Sequence, residues 1–340
     1  MRYKILLILI MFTLVGPVYA AENNSNQTKI SSLLQQIAAL QEKIKAQAQT
    51  QSKTSTTNVT VNQTPVAGWK FERADHDLFE DSEIQEKLLT DDYDVKTYLV
   101  RNNRLYVNYS NARVVKDDSY KIWNIYADIL GDEWVAENIR QYNTYRDPDG
   151  SLYGFVRHIE DKSPEWGFAV DISRADFENK TWVRDMIIVM LHETAHIATL
   201  NDKQVMRNVK YAKYCLDKSG FFTGTMCAKK DSYLKSYGKA FWSNKEFISS
   251  YNKLQQLDGA EYTEKKREYY NNHQVDFVTA YALKSPEEDI AESFVNFILD
   301  DKPTGKTLKE QKIKFFYKYP ELVGRRLEIR DRIKEYFLEN

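Results

Sequence analysis

Apolar and polar positions follow several distinct rhythms along this 340-residue chain, and each rhythm predicts a different element. The first is an unbroken apolar run, ILLILIMFTLV, preceded by Arg2 and Lys4 and followed by VYA. Small residues at Val18 and Ala20 complete the pattern of a secretory signal peptide over residues 1–20. The run is short for a membrane span. No cysteine follows it directly, which argues against a lipoprotein.

The next rhythm places Ile30, Leu33, Ile37, Leu40 and Ile44 at steps of 3, 4, 3 and 4, an a/d seam of about two heptads. Residues 21–50 are therefore predicted to form a short amphipathic helix. It either self-associates as a coiled coil through residues 30–44 or docks as a single helix. QSKTSTTNVTVNQTP, within residues 51–66, is polar and almost free of large apolar side chains, the composition of a flexible linker. The globular domain is placed at 67–340.

Inside that domain, TYLVRNNRLYVNY (97–109) predicts a hairpin turning at Asn102-Asn103. SYKIWNIYADILGDEWVAENIRQY carries helical spacing through Ile122, Ile125, Tyr126, Ile129 and Leu130. DPDG at 147–150 reads as a turn. SLYGFVRHI and EWGFAVDIS read as strands, the second with the alternation of a sheet edge at Trp166, Phe168, Val170 and Ile172. NKTWVRDMIIVMLHETAHIATLN reads as a helix capped by Asn179 or Thr181, and it is apolar almost all round from Met186 to Leu191, as a buried central helix must be. Beyond Asp202 the chain reads mostly as helix. Strands first and helices after define an α+β class.

Composition adds little to the fold and more to the function. The apolar fraction is 42% and the charged fraction 29%, ordinary for a globular domain, and 23 Tyr with 16 Phe predict an aromatic core. The net charge of −1 becomes −3 once Arg2 and Lys4 leave with the signal peptide, which points away from nucleic acid and from a membrane surface as partners. Export would favour a disulfide between Cys215 and Cys227; two reduced, partly buried thiols are the alternative.

The central helix contains the candidate chemistry. His192 and His196 are spaced i, i+4, so both imidazoles lie on one face and can reach one metal ion. Glu193 lies one residue round, where it can reach a metal-bound water without ligating the metal. This is the arrangement of a zinc peptidase with glutamate as general base. On so apolar a helix, two histidines and a glutamate are costly unless paired. The remaining histidines, His76, His158 and His273, have no ligand spacing.

A zinc site of this type needs a third ligand. Asp202 stands six residues after His196, but that spacing requires a sharp turn where the chain has β-branched Thr199. YALKSPEEDIAESFVNFILD offers a second candidate. Ser285-Pro286 starts a helix on which Glu288 and Glu292 share a face. Glu288 is either the N3 residue of an S-x-x-E capping box or a metal ligand. Glu292, one turn on, suits the group that accepts a hydrogen bond from the far nitrogen of a ligating histidine.

HExxH followed much later by E-x-x-A-E-x-F resembles the gluzincin metallopeptidases, in particular the secreted group that includes the anthrax lethal factor protease domain and the Pro-Pro endopeptidases. The resemblance rests on two short segments of the domain. It implies a zincin-like fold with a small mixed sheet, one Zn2+ ion held by His192, His196 and Glu288, and Glu193 as base. It also implies Tyr281, seven residues before Glu288, as the hydroxyl that stabilises the tetrahedral intermediate, with Glu292 behind a zinc ligand. By the same analogy, the strand from Trp166 to Ile172 would hold the substrate.

The expected function is therefore a secreted or otherwise extracytoplasmic zinc endopeptidase (cell surface or periplasm) acting on a peptide or protein. The competing expectation is a surface-tethered binding or scaffold protein whose zinc site is structural or inactive. Cleavage of cell-wall peptidoglycan is a third reading, favoured by nothing beyond export.

Overall fold

Asn102 and Asn103 both adopt positive φ, 48° and 58°, the left-handed conformation that a two-residue hairpin turn requires and asparagine tolerates. They join strands β1 (Lys96–Arg101) and β2 (Arg104–Val107), which pair antiparallel with Arg101 opposite Arg104. The computed structural model describes residues 94–107, 117–147, 153–160, 164–209, 211, 215, 221–223 and 226–339, all within the unit Gly68–Asn340. The expected signal peptide, heptad helix and linker, His76 and positions 148–150 lie outside the described residues.

Helix α1 (Asp118–Leu130) starts at Asp117, whose side chain accepts from Tyr120 N, and it buries Ile122, Ile125, Tyr126, Ile129 and Leu130. The helical reading of the stretch to Tyr142 does not hold throughout. Gly131, at φ 85°, stops α1, a short helix α2 (Asp132–Asn138) follows, and Ile139–Tyr145 is strand β3. This strand buries Asn143 and Thr144 as well as Ile139, Tyr142 and Tyr145, so polar interior positions blur its alternation.

β4 (Gly154–His158) and β5 (Trp166–Asp171) complete a five-stranded mixed sheet of order β2-β1-β3-β5-β4. β3 and β5 run parallel, while the other neighbours are antiparallel. The expectation for the second strand needs correcting: Trp166–Asp171 is buried at every position and paired on both sides, so it is interior to the sheet. The edge beside the central helix is β4. Its odd-numbered residues face β5, as Asp171 N donating to Tyr153 O and Ile159 N donating to Glu165 O show at the two ends. In an antiparallel ladder the backbone groups of Gly154, Val156 and His158 then point outward.

α3 (Lys180–Leu200) packs against β4, capped by Asn179 Oδ1 accepting from Thr181 N at 3.0 Å and Trp182 N at 3.3 Å. Every residue from Met186 to Leu191 is buried. β4 approaches it closely at Gly154, where a Cβ would lie 3.0 Å from Ala169 O and 3.1 Å from Val189 Cγ1, so a side chain there fits only if its neighbours shift by a few tenths of an ångström.

After Asn201 come a small three-stranded sheet, with β6 (Val205–Met206), β7 (Phe221–Phe222) and β8 (Cys227–Ala228) in the order β6-β8-β7, and then helices. Cys215 is joined to Cys227 as a disulfide, Cα to Cα 5.7 Å. The helices are α4 (Tyr233–Phe241), α5 (Lys245–Leu254), α6 (Gly259–Asn272), α7 (Pro286–Leu299), α8 (Leu308–Phe315) and α9 (Pro320–Glu339). The domain is thus α+β, with a small mixed sheet and a helical C-terminal half. α7 packs along α3, with Ile290, Ala291, Phe294, Val295 and Ile298 in the core. No helix among the described residues is long and apolar enough to cross a membrane.

Candidate metal centre

The first turn of α7 brings Glu288 onto the two histidines of α3. Glu288 Oε2 lies 3.0 Å from His192 Nε2 and 3.1 Å from His196 Nε2, and the two Nε2 atoms are 3.0 Å apart. These atoms form a nearly equilateral triangle, the only group of its kind among the described residues that could hold a metal ion. One face of a tetrahedral site with bonds of about 2.0–2.1 Å has edges of roughly 3.3 Å, so the spacing is close to that of a coordination face. Two imidazole nitrogens and a carboxylate oxygen gathered this closely form a donor set that one cation can bridge.

The orientation of His192 is set from behind. Its Nδ1 is 2.8 Å from Glu292 Oε1, and a carboxylate only accepts, so Nδ1 carries a proton and Nε2 is the nitrogen turned toward Glu288 and His196. Glu292 and His192 are buried at 0% and 1% side-chain exposure. Burial alone would lower the basicity of His192, but the hydrogen bonds it donates to Glu288 and Glu292 outweigh it and push its pKa up to about 10. Burial works against ionising Glu288 too, yet His196 and His192 hold its carboxyl well below the usual carboxylate range. Protein groups alone therefore favour positive charge at this point.

The cap at Ser285 explains why Glu288 is available. Ser285 Oγ accepts from Glu288 N at 3.3 Å, but the Glu288 side chain turns to the histidines instead of closing the box on the Ser285 backbone. The contrast is Thr307 and Glu310 at the start of α8, where both halves of the capping box are present.

Glu193 is buried beside the pair, and its Oε2 accepts from Val156 N of the edge strand at 2.9 Å. Burial is the largest influence on its carboxyl and raises it, against the pull of His196 and His192. A raised carboxyl is the direction a general base at neutral pH requires. Tyr281 sits in a 3-10 turn (Tyr281–Leu283), its ring centroid 5.7 Å from that of His192. Burial, reinforced by Glu288 and Glu193, holds its phenol well above the usual range, so it remains an O–H donor.

Asp202 is not brought to this point; it pairs with Arg207 at 3.1 Å near the end of α3. The His158 ring lies tilted against Trp166, centroids 3.8 Å apart, and His273 contacts Asp276 at 2.8 Å. Three groups at the site escape sequence reasoning. Val156 acts through its backbone, which no side-chain motif reports. Lys284 Nζ donates to Tyr281 Oη at 3.2 Å, and Thr279 Oγ1 donates to Glu292 Oε2 at 2.7 Å. Both are near Tyr281 in sequence, but their types are too common to stand out.

Compared with known protein families the chain matches no family model, and compared with curated proteins and solved structures it gives no significant match.

Proposed function

We propose that this chain is a zincin-like, zinc-dependent endopeptidase of gluzincin type, exported from the cytoplasm. The observation that carries the reading is the convergence of three ligand atoms, contributed by His192, His196 and Glu288, next to a separate buried carboxylate, Glu193, that is not part of the ligand triangle. Structural zinc sites are closed by four protein ligands, whereas catalytic ones use three and keep a position open. A two-nitrogen, one-oxygen donor set suits zinc. The disulfide between Cys215 and Cys227 and the signal-like residues 1–20 support export.

Bound zinc would supply a water acidified toward neutrality and polarisation of the scissile carbonyl. Glu193 takes the proton of the attacking water and delivers it to the departing amine. Tyr281 donates its O–H to the oxygen on which charge develops. Glu292 keeps His192 in the tautomer that presents Nε2. Of the outward backbone groups of β4, Val156 N is taken by Glu193, and those remaining are suited to pairing with an extended peptide.

The test is cleavage of a diverse peptide library with and without a chelator, alongside the Glu193→Gln protein. Cleavage should vanish with the chelator. It should also vanish in E193Q, while E193Q still binds one equivalent of zinc. Zinc bound by the wild type with no turnover would favour a binding or scaffold protein, and substantial hydrolysis by E193Q would remove Glu193 as the base.

A further inference from the structure

We infer that Thr279 is a positioning residue that ties the Tyr281 turn to the His192 ligand through a continuous hydrogen-bond chain. The inference rests on the metal-centre part of the proposed function and does not depend on the reaction catalysed there.

The chain runs through four residues. Ala282 N donates to Thr279 Oγ1 at 3.2 Å. The Thr279 hydroxyl donates in turn to Glu292 Oε2 at 2.7 Å. Glu292 Oε1 accepts from His192 Nδ1 at 2.8 Å, and His192 Nε2 completes the ligand triangle. A hydroxyl has one hydrogen and can accept as well as donate, so a residue in this place must do both at once. Valine has the shape and neither capacity; serine has both capacities and less bulk.

The consequences differ at the two ends. Towards the ligand triangle, the Thr279 hydroxyl helps fix the carboxylate plane of Glu292, which is fully buried. That plane sets the direction of the His192 Nδ1–H bond and hence the aim of Nε2. His196 has no equivalent support: its Nδ1 is buried without a hydrogen-bond partner among the described residues. His192 is therefore the member of the pair held from behind, by Glu292, and Thr279 lies one hydrogen bond further back. Towards Tyr281, the same hydroxyl receives the amide of the next residue, so the turn that presents the phenol is built on the atom that orients Glu292.

The experiment compares wild type, Thr279→Val, Thr279→Ala and Thr279→Ser by zinc competition against a chromophoric chelator. Hydrogen exchange of the 280–284 backbone is followed in the same proteins. T279V is expected to bind zinc several-fold more weakly, up to about 10-fold, the low end of the loss when the group bonded to a ligating histidine is itself removed. It should also exchange the Ala282 amide faster. T279S should restore both properties, a rescue that simple loss of packing would not give. T279A carries the same comparison if the valine methyl disturbs folding. Zinc affinity in T279V and T279A equal to wild type would overturn the role of Thr279 while leaving the metal centre intact. A wild-type protein that binds no zinc would overturn the metal centre and this inference together.

Discussion

His192 and Glu292, 100 residues apart in sequence, meet at 2.8 Å with both side chains buried. A buried imidazole held by a buried carboxylate has its tautomer chosen for it, and that choice points Nε2 at Glu288. Replacing Glu292 with Gln preserves size but removes the charge behind His192. Zinc affinity should fall about 10- to 100-fold in E292Q, read by chelator competition. Unchanged affinity would show that Glu292 only fills space.

Tyr281 has a different signature. Its hydroxyl is proposed to act on charge that develops during reaction, so Tyr281→Phe should lower kcat about 100-fold or more and leave zinc affinity unchanged. Lys284, whose ammonium donates to the same phenol oxygen, leaves the phenol hydrogen as the group facing the site. Lys284→Met should lower kcat by a smaller factor with little change in KM. Equal zinc affinity combined with wild-type turnover in Y281F would remove the tyrosine from the mechanism.

Beside Glu288 in sequence, Asp289 is fully buried and meets Lys312 Nζ at 2.8 Å, while Trp242 Nε1 donates to the same oxygen at 2.8 Å. Burial is the largest influence on both ions, raising the Asp289 carboxyl and lowering the Lys312 ammonium. Lys312→Met leaves the carboxyl without its cation. Breaking such a pair costs about 3–5 kcal/mol, and the low end is expected because Asp289 is already shifted toward taking up a proton. Denaturant unfolding should show that loss, and K312M combined with Asp289→Leu should recover much of it.

Glu310 provides a pH test away from the candidate metal centre. Its carboxylate accepts from Thr307 Oγ1 at 2.7 Å, Thr307 N at 3.0 Å and Gly305 N at 3.0 Å, and the Thr307 hydrogen bond is the largest cause of its lowered pKa. A carboxyl with a lower pKa in the folded state stabilises the fold above its unfolded pKa and loses that contribution as pH falls through the folded one. Acid unfolding followed below about pH 4.3, the ordinary value for Glu, should therefore be less steep in Glu310→Gln than in wild type. Identical acid limbs would show that the cap contributes nothing measurable.

Parts of this protein were legible in the sequence because they depend on local rules. The Asn102-Asn103 turn, the Asn179 cap and the apolar stretch from Met186 to Leu191 each follow from the conformational or solvation preference of nearby residues. β3 was not legible, since it buries Asn143 and Thr144 and so lacks a clear period of two. The strand from Trp166 showed an alternation that suggested an edge, but partners on both sides make it interior, and strand order is a property of long-range pairing.

The same division holds at the metal centre. Helical periodicity alone puts His192 and His196 on one face and Glu288 and Glu292 on one face, because i and i+4 are neighbours in any α-helix. Only the packing of α7 along α3 decides that the two faces meet, that Glu288 turns from its capping position to the histidines, and that Glu292 lies behind His192. Val156 enters the site through the packing of β4 against α3, a single backbone contact across space, whereas Lys284 and Thr279 are local to Tyr281 but of residue types too common to mark a pattern along the chain.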